Sequence, residues 1–247
     1  MSSHSDAGAL RREQVSGERW RVVGKHAQLQ TSLSNSCKTR SAQAVAYVCS
    51  GIVEVWNVVT GACERTLEGH GDKVTALAKC NEGGWLAVGS DRQVKLWSTT
   101  TWTCEHALAT LGDVTALAAA APRMLCAGSA SLRAVNTWRF LANAEESERG
   151  GAARLDCSPV PPSAGIFIER ASCLPLGSAV HSLVMCGSIL IAGLGNGSIA
   201  MVRTNFEMVW ERLRTLEHGH TSAVTSLVLC GGTGLASGSQ GELRLWS

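Results

Sequence analysis

The sequence contains no long apolar run and no concentrated block of charge. Its longest apolar stretches, such as residues 116–121 (ALAAAA), are far shorter than the about 20 residues that a membrane-spanning helix needs. Lys and Arg total 22 against 20 Asp and Glu without a dense basic run, which argues against direct nucleic-acid binding. Residues 1–20 lack the apolar segment of a secretory signal. We therefore expect an intracellular protein, cytoplasmic or nuclear, without membrane insertion.

Closely spaced cysteines are also missing. The chain has ten cysteines, but no two stand at the Cys-x-x-Cys spacing that usually marks a zinc site. His218 and His220 flank a glycine, yet no further ligand follows at a supporting spacing. Without a secretory signal the thiols are expected to stay reduced. We expect no metal and no cofactor.

The motifs of common enzyme classes are absent or incomplete. No Walker-type GxxxxGK[ST] occurs, and the GLGNG of residues 193–197 continues with Ser198 where a dinucleotide loop has its third glycine. The SGSQG of residues 237–241 begins with Ser237 instead of the glycine of a nucleophile elbow. The sequence therefore predicts no catalytic residue and no enzyme.

What the sequence does contain is a repeat. Trp56, Trp97 and Trp138 follow one another at intervals of 41 residues, and Val202 and Trp246 continue the series. Ahead of these positions stand short apolar segments that end in small residues, such as LAVGS, LCAGS and LASGS. Alternating segments precede those in turn, and they begin at Val74, Val114, Val180 and Val224. Four short strands in each repeat are typical of one blade of a β-propeller.

The repeats resemble the tryptophan–aspartate (WD) repeat family. The residues that carry the resemblance are Gly69-His70 with Asp91 and Trp97, Gly219-His220 with Ser237 and Trp246, and the segments WNVVTGACERTLEGH and LASGSQGELRLWS. The repeats are degenerate, because none keeps the aspartate after its tryptophan-type position, which holds Asn57, Ser98, Arg139, Arg203 or Ser247. The resemblance implies an all-β chain folded as a β-propeller of four-stranded antiparallel blades.

Five blades can be counted, and they assign residues 16–247 to the propeller. Residues 1–15 are expected to form a disordered tail, and residues 141–163 an exposed insertion loop, since they are rich in Glu, Pro and small residues. The segment ERWRVVG, residues 18–24, reads as a strand that could complete the last blade and close the ring. A small propeller, a shortened family member and an arc completed by a partner all remain open.

The resemblance also implies a role for the two loop histidines. In the family, a loop histidine, a strand hydroxyl, a turn aspartate and the strand tryptophan form a hydrogen-bonded chain inside each blade. His70 with Asp91 and Trp97 would form one such chain, and Ser90 could supply its hydroxyl. His220 with Ser237 and Trp246 would form a second chain, in which Gln240 stands in place of the acid. These residues are expected to be structural.

Five cysteines fall on repeat positions. Cys80, Cys186 and Cys230 end the strands that begin with a valine, and Cys63 and Cys104 follow Trp56 and Trp97 at one common spacing. A reduced cysteine behaves as a small apolar side chain, so all five are expected to pack inside a sheet.

The expected function is that of a non-enzymatic scaffold, a subunit or adaptor that binds a protein or peptide on a propeller face. Loops on a rigid frame commonly supply such a surface. The residues predicted to contact the partner are Asp72, Lys73, Arg92, Asp113, Ser178, Thr221 and Ser222.

Two other roles are considered. A substrate receptor of a ubiquitin ligase often carries an Arg two residues past a Trp-Asp, where this chain has Val58, Thr99, Phe140 or Thr204. An RNA- or ribonucleoprotein-associated role is implied by the resemblance of the short repeats to those of zinc-finger WD proteins, but the near-neutral charge gives it little electrostatic support. The oligomeric state cannot be derived from the sequence.

Overall fold

The computed structural model describes residues 31–34, 43–49, 51–57, 59–80, 84–120, 124–141, 167–204, 210–217, 219–230 and 234–246. Within these ranges the backbone forms nineteen strands, arranged as five antiparallel sheets, and no helix. None of the described segments is therefore a helix that could cross a bilayer. The all-β architecture of four-stranded blades is confirmed.

Four of the sheets contain four strands each, joined in chain order. The first is β1 (Thr31–Ser34), β2 (Gln43–Cys49), β3 (Ile52–Asn57) and β4 (Cys63–Leu67), and the second is β5 (Ala76–Cys80), β6 (Trp85–Ser90), β7 (Gln93–Ser98) and β8 (Cys104–Ala109). The third is β9 (Ala116–Ala120), β10 (Met124–Ser129), β11 (Ala134–Leu141) and β12 (Phe167–Pro175). The fourth is β13 (Val180–Cys186), β14 (Ile189–Leu194), β15 (Ile199–Thr204) and β16 (Trp210–Leu216). The fifth has three described strands, β17 (Ser226–Cys230), β18 (Gly234–Ser239) and β19 (Glu242–Trp246).

The five sheets stand side by side in chain order. Their first strands contact one another in the series β1, β5, β9, β13 and β17, so these strands line the inner side of the arrangement. The second strands β6 and β10 are buried on both faces, because neighbouring sheets cover each side. The fourth strands β4 and β16 are largely exposed and form the outer rim. This order of burial explains why the second strand of each repeat reads as an unbroken apolar run.

Neighbouring sheets meet through a contact that recurs along the chain. A glycine in the second strand of one sheet leaves space for a valine at or just before the start of the first strand of the next sheet. A Cβ atom added to Gly89 would lie 2.5 Å from Val114 Cγ1, and one added to Gly128 would lie 2.6 Å from Val180 Cγ1. Gly193 has the same relation to Val224, with a separation of 2.8 Å. We call this contact the valine–glycine joint.

A hydroxyl group reinforces each joint. Thr75 Oγ1 donates to the carbonyl oxygen of Val114, Thr115 Oγ1 donates to that of Val180 at 2.5 Å, and Ser182 Oγ donates to that of Val224 at 2.8 Å. Each bond therefore links one sheet to the backbone of the next. The Val-Thr pair of residues 114–115 has two roles: the valine fills the space beside a glycine of the preceding sheet, and the threonine hydroxyl donates a hydrogen bond to the next sheet.

Several segments predicted from the sequence lie wholly or mostly outside the described residues. Residues 1–15 and the strand expected at residues 18–24 lie outside them, and so does most of the 141–163 insertion. β11 ends at Leu141 and β12 begins at Phe167, so the insertion separates the third and fourth strands of the third sheet.

The expectation that five repeat cysteines pack inside a sheet is wrong for three of them. Cys80 is buried, but Cys63, Cys104 and Cys230 are exposed. Cys63 and Cys104 begin fourth strands on the outer rim. Cys230 ends β17, on a sheet face that no described sheet covers. Burial at a repeat position thus depends on the neighbour of the sheet as well as on the register.

The valine–glycine joint predicts a large effect of a single methyl group. Gly128→Ala should lower the free energy of unfolding by about 1–3 kcal/mol, since the added Cβ overlaps Val180 in a packed interior. Gly71→Ala is the matched control, because a Cβ at Gly71 meets no atom within 4 Å. Denaturant titration of both variants would measure the difference. Equal stability of the two variants would contradict the joint.

Candidate functional site

Two kinds of connection between strands lie along one edge of the sheets. The loops that lead from a fourth strand to the next sheet lie beside the turns between second and third strands. The amide of Thr110 donates to Arg92 O at 2.9 Å, and that of His220 donates to Gly197 O at 3.0 Å. The amide of Gln240 donates to Ser222 Oγ at 3.2 Å. We call this edge the loop face, and the bonds hold its connections against the strands.

His220 lies under the loop face at the centre of a hydrogen-bond network. Its Nε2 is 2.7 Å from Ser237 Oγ, and Trp246 Nε1 donates to the same oxygen at 2.7 Å. Because an indole can only donate, Ser237 accepts from Trp246 and its own hydroxyl proton can go to His220 Nε2. The proton of the neutral imidazole then sits on Nδ1, which faces Glu242 Oε2 at 3.1 Å and Ser239 Oγ at 3.0 Å.

The acid of this network is Glu242. The sequence position expected for the acid holds Gln240, but among the described residues the carboxylate beside the imidazole of His220 belongs to Glu242. Hydrogen bonds from Arg244 and from His220 lower the pKa of the Glu242 carboxyl. Glu242, Arg244 and Trp246 alternate along β19 and so share one face. Counting in twos back from Trp246 was the sequence signal that could have found Glu242.

The corresponding chain between His70 and Trp97 is not formed. Both ring nitrogens of His70 and Nε1 of Trp97 are buried, and none has a hydrogen-bond partner among the described residues. The two rings lie in contact, with centroids 5.6 Å apart. Asp91, the expected acid, is exposed to solvent. His70 and Trp97 are thus brought together by packing, and Asp91 accepts no hydrogen bond from either of them.

Val88 explains the missing bonds. Val88 pairs with Lys95 across β6 and β7, and Ser237 pairs with Arg244 across β18 and β19 in the same register. Val88 therefore occupies the position from which Ser237 joins its histidine to its tryptophan. Ser90, the hydroxyl expected from the sequence, is two residues further on, and its Oγ lies 3.5 Å from Gln93 O. Without a hydroxyl at residue 88 the two buried rings cannot be linked.

Asp113 takes a structural position in the third sheet, whose loop has no histidine. Its Oδ1 accepts hydrogen bonds from Ser129 Oγ at 2.7 Å, from Ser131 Oγ and from the Ser131 amide. Burial alone would raise the pKa of Asp113, but the hydrogen bonds from Ser131 and Ser129 outweigh it and the pKa is lowered. The carboxylate thus fastens the loop to the turn between β10 and β11.

The residues expected to bind a partner divide into two groups. Asp72, Lys73, Arg92 and Thr221 are exposed on the loop face, while Asp113, Ser178 and Ser222 are partly buried. Asp113 and Ser222 use their side-chain oxygens for bonds within the protein.

An exposed apolar pair, Leu111 and Leu132, lies on the same edge and was not predicted from the sequence. Leu111 is 59% exposed and Leu132 is 37% exposed. They flank Gly112, since a Cβ added there would lie 2.7 Å from Leu132 Cγ. Neither leucine has a repeat signature, so only its exposure reveals it.

Replacing Val88 with a hydroxyl-bearing residue should restore the hydrogen bonds between His70 and Trp97 in the second sheet. Val88→Thr keeps the shape of the side chain and supplies a hydroxyl that can accept from Trp97 and donate to His70. We expect the free energy of unfolding to rise by about 1–2 kcal/mol, because buried polar atoms without partners are costly. Val94→Thr is the control. It makes the same change on the apolar face toward the third sheet, and should instead lower stability by about 1–3 kcal/mol.

The buried His70 predicts a dependence of stability on pH. Burial, with a smaller contribution from the charge of Lys95, lowers the pKa of His70 from 6.5 to about 4. The unfolded chain therefore binds a proton at a higher pH than the folded protein does. Stability present above pH 6.5 is lost as the pH falls toward 4, by up to about 1.4 kcal/mol per pH unit.

His70→Phe should remove this part of the pH dependence while it keeps the ring contact with Trp97. Urea titrations between pH 7.5 and 4 would compare the two slopes. An unchanged slope in the variant would show that the neutral His70 is not the cause.

Comparison with known proteins agrees with the repeat geometry. The family model described as WD domain, G-beta repeat, matches residues 61–98 and 210–247. A 63-residue stretch, 25% of this chain, is 35% identical to the nuclear distribution protein PAC1-2 of Uncinocarpus reesii (strain UAMH 1704), and it covers 14% of that protein. Both matched repeats contain a tryptophan-type strand, and the second contains Ser237, Glu242 and Trp246. The chain therefore contains two segments that match the WD repeat, and its described part is built from antiparallel sheets arranged as the blades of a β-propeller.

Proposed function

We propose that this WD-repeat chain is a non-enzymatic interaction scaffold, and that its loop face binds a protein or peptide. In this role the chain is a subunit or adaptor of a larger complex in the cytoplasm or nucleus. The observation that carries the proposal is the exposed pair Leu111 and Leu132, which lies next to charged loop residues on a fixed frame.

The composition of the loop face supports protein binding. Interfaces commonly have apolar residues at the centre and polar residues around them. Leu111 follows Thr110, whose amide is bonded to Arg92 O, so Arg92 lies at the border of the leucine pair. Asp72 and Lys73 present charges of both signs on the preceding loop. Mixed charges favour a partner surface with complementary charge over a uniformly charged polymer.

The rigidity of the loop face also supports the proposal. Asp113 fastens one loop to its turn, His220 and Ser222 fasten another, and Lys95 Nζ donates to Gly69 O at 2.5 Å. A surface that is already ordered loses less conformational entropy on binding. The hydrogen bonds that could otherwise be mistaken for a catalytic site therefore serve to hold the binding loops.

The same bonds favour a role other than catalysis for the loop histidines. Both ring nitrogens of His220 are engaged with side chains of its own sheet, so proton transfer to a substrate would require those bonds to break. His70 is buried against Trp97, below the exposed loop residues.

The proposal predicts loss of partners when the loop face is changed. We expect Leu111→Asp with Arg92→Glu to reduce the yield of specific co-purifying proteins by at least about tenfold, because central apolar contacts contribute most to affinity. Affinity purification from the native cell with quantitative mass spectrometry would measure the change.

The matched control is Val59→Asp. Val59 is also a highly exposed apolar residue, but it lies in the connection between β3 and β4, on the edge opposite the loop face. This variant should retain the wild-type partners. Loss of the same proteins from both variants, or from neither, would exclude the loop face as their binding surface.

A further inference from the structure

The fifth sheet has a face that no described sheet covers. Cross-strand pairing places Val228, Cys230, Ala236, Leu243 and Leu245 on this face, which we call the fifth-sheet face. Leu243 is 74% exposed and Leu245 is 76% exposed. Leucine side chains so fully exposed on one sheet are an unusual arrangement for a protein surface, and such patches often mark interaction sites.

The same positions are covered in the other sheets. Val94 and Leu96 of β7 correspond in register to Leu243 and Leu245, and both are fully buried against the third sheet. The corresponding strands therefore have the same apolar chemistry and differ in whether another described sheet covers them. The fifth-sheet face is a sheet-to-sheet contact surface without its second half.

The fifth sheet has the glycine and the threonine that form a valine–glycine joint in other sheets, but no partner valine from another described sheet. Gly238 corresponds to Gly89 and Gly128, but the nearest atom to a Cβ at Gly238 is Ser226 Oγ of its own sheet, and no valine of another described sheet occupies the space. Thr225 corresponds to Thr75 and Thr115. It is exposed, and its hydroxyl reaches only Gly238 O of its own sheet, at 3.5 Å.

The complementary half lies at the other end of the described chain. Trp97, Trp138 and Trp246 each pack toward the preceding sheet, where they cover its third strand. Trp56 occupies the same position in the first sheet. Ile52 and Trp56 lie on the face opposite Val53 and Val55, which are fully buried toward the second sheet. We call the face of Ile52 and Trp56 the first-sheet face.

The arrangement of the sheets keeps the two faces apart. The extended contacts of the first strands run from β1 to β17, and among the described elements no contact of that extent leads from β17 back to β1. The exposure of Leu243 and Leu245 likewise shows that the first-sheet face does not cover the fifth-sheet face.

We propose that the fifth-sheet face binds the first-sheet face of a second copy of this chain. The chain itself carries both complementary halves, so a second copy provides the missing tryptophan-bearing sheet. The contact is head-to-tail, because two different faces meet, and such contacts either close into a ring or continue as a chain of copies. This self-association uses surfaces distinct from the loop face and is independent of the partner proposed there.

Two variants with one blocked face each test the proposal. Leu243→Glu with Leu245→Glu blocks the fifth-sheet face, and Ile52→Glu blocks the first-sheet face. We expect the wild-type mass to rise with concentration in light scattering, and each variant alone to remain monomeric. An equimolar mixture of the two variants should form a heterodimer and nothing larger, because only one competent face remains on each copy.

Three controls separate loss of the contact from misfolding and from a general effect of removing an exposed apolar side chain. The substituted leucines are almost fully exposed, so folding should be preserved, and circular dichroism would check it. Leu243→Lys with Leu245→Lys provides a second blocked variant. Val59→Glu changes an exposed apolar residue outside both faces and should self-associate like the wild type.

Alkylation of Cys230 gives an independent measurement. Its thiol lies on the fifth-sheet face, so we expect labelling to slow at least about tenfold in the assembled wild type and to remain fast in the blocked variants. A monomeric wild type at every concentration would overturn the proposal. A mixture that stays monomeric would do the same, and a monomer with protected Cys230 would show that the face is covered within one chain.

Discussion

The fold depends on the valine–glycine joint. A methyl-sized space at Gly89, Gly128 or Gly193 accommodates the valine that stands at or just before the start of the next sheet, and a hydroxyl group then donates a hydrogen bond across the same boundary. Because protein interiors are close-packed, this fit sets both the distance and the angle between sheets. The inner strands, the buried second strands and the position of the loop face all follow from repeating it.

The second to fifth sheets are connected by this joint but anchor their loops in different ways. The fifth sheet uses His220 with Ser237 and Glu242, and the third sheet uses Asp113 with two serines. The second sheet packs His70 on Trp97 without hydrogen bonds. Hydrogen bonding inside a blade is therefore one of several ways to hold the loop face, and packing between sheets is the part that the blades have in common.

The sequence predicted the strands and their order well, because alternation and spacing are local properties. It predicted the residues of the His220 network except the acid, since the reach of Glu242 depends on how the turn at Gly241 directs β19. It did not predict the unlinked His70, because Val88 looks like an ordinary apolar strand residue. The exposure of Cys230 and of the two leucines on β19 depends on the neighbours of a whole sheet, which no local pattern contains.

The turn at Arg92 shows what the loop face requires of the backbone. Gly51, Gly197 and Gly241 hold the corresponding positions in other sheets with φ of 86°, 82° and 76°, and Arg92 adopts the same left-handed conformation with φ of 54°. That conformation costs a residue with a Cβ about 1–2 kcal/mol. The second sheet thus carries, at the border of the exposed leucine pair, a charged side chain whose hairpin would be more stable with glycine.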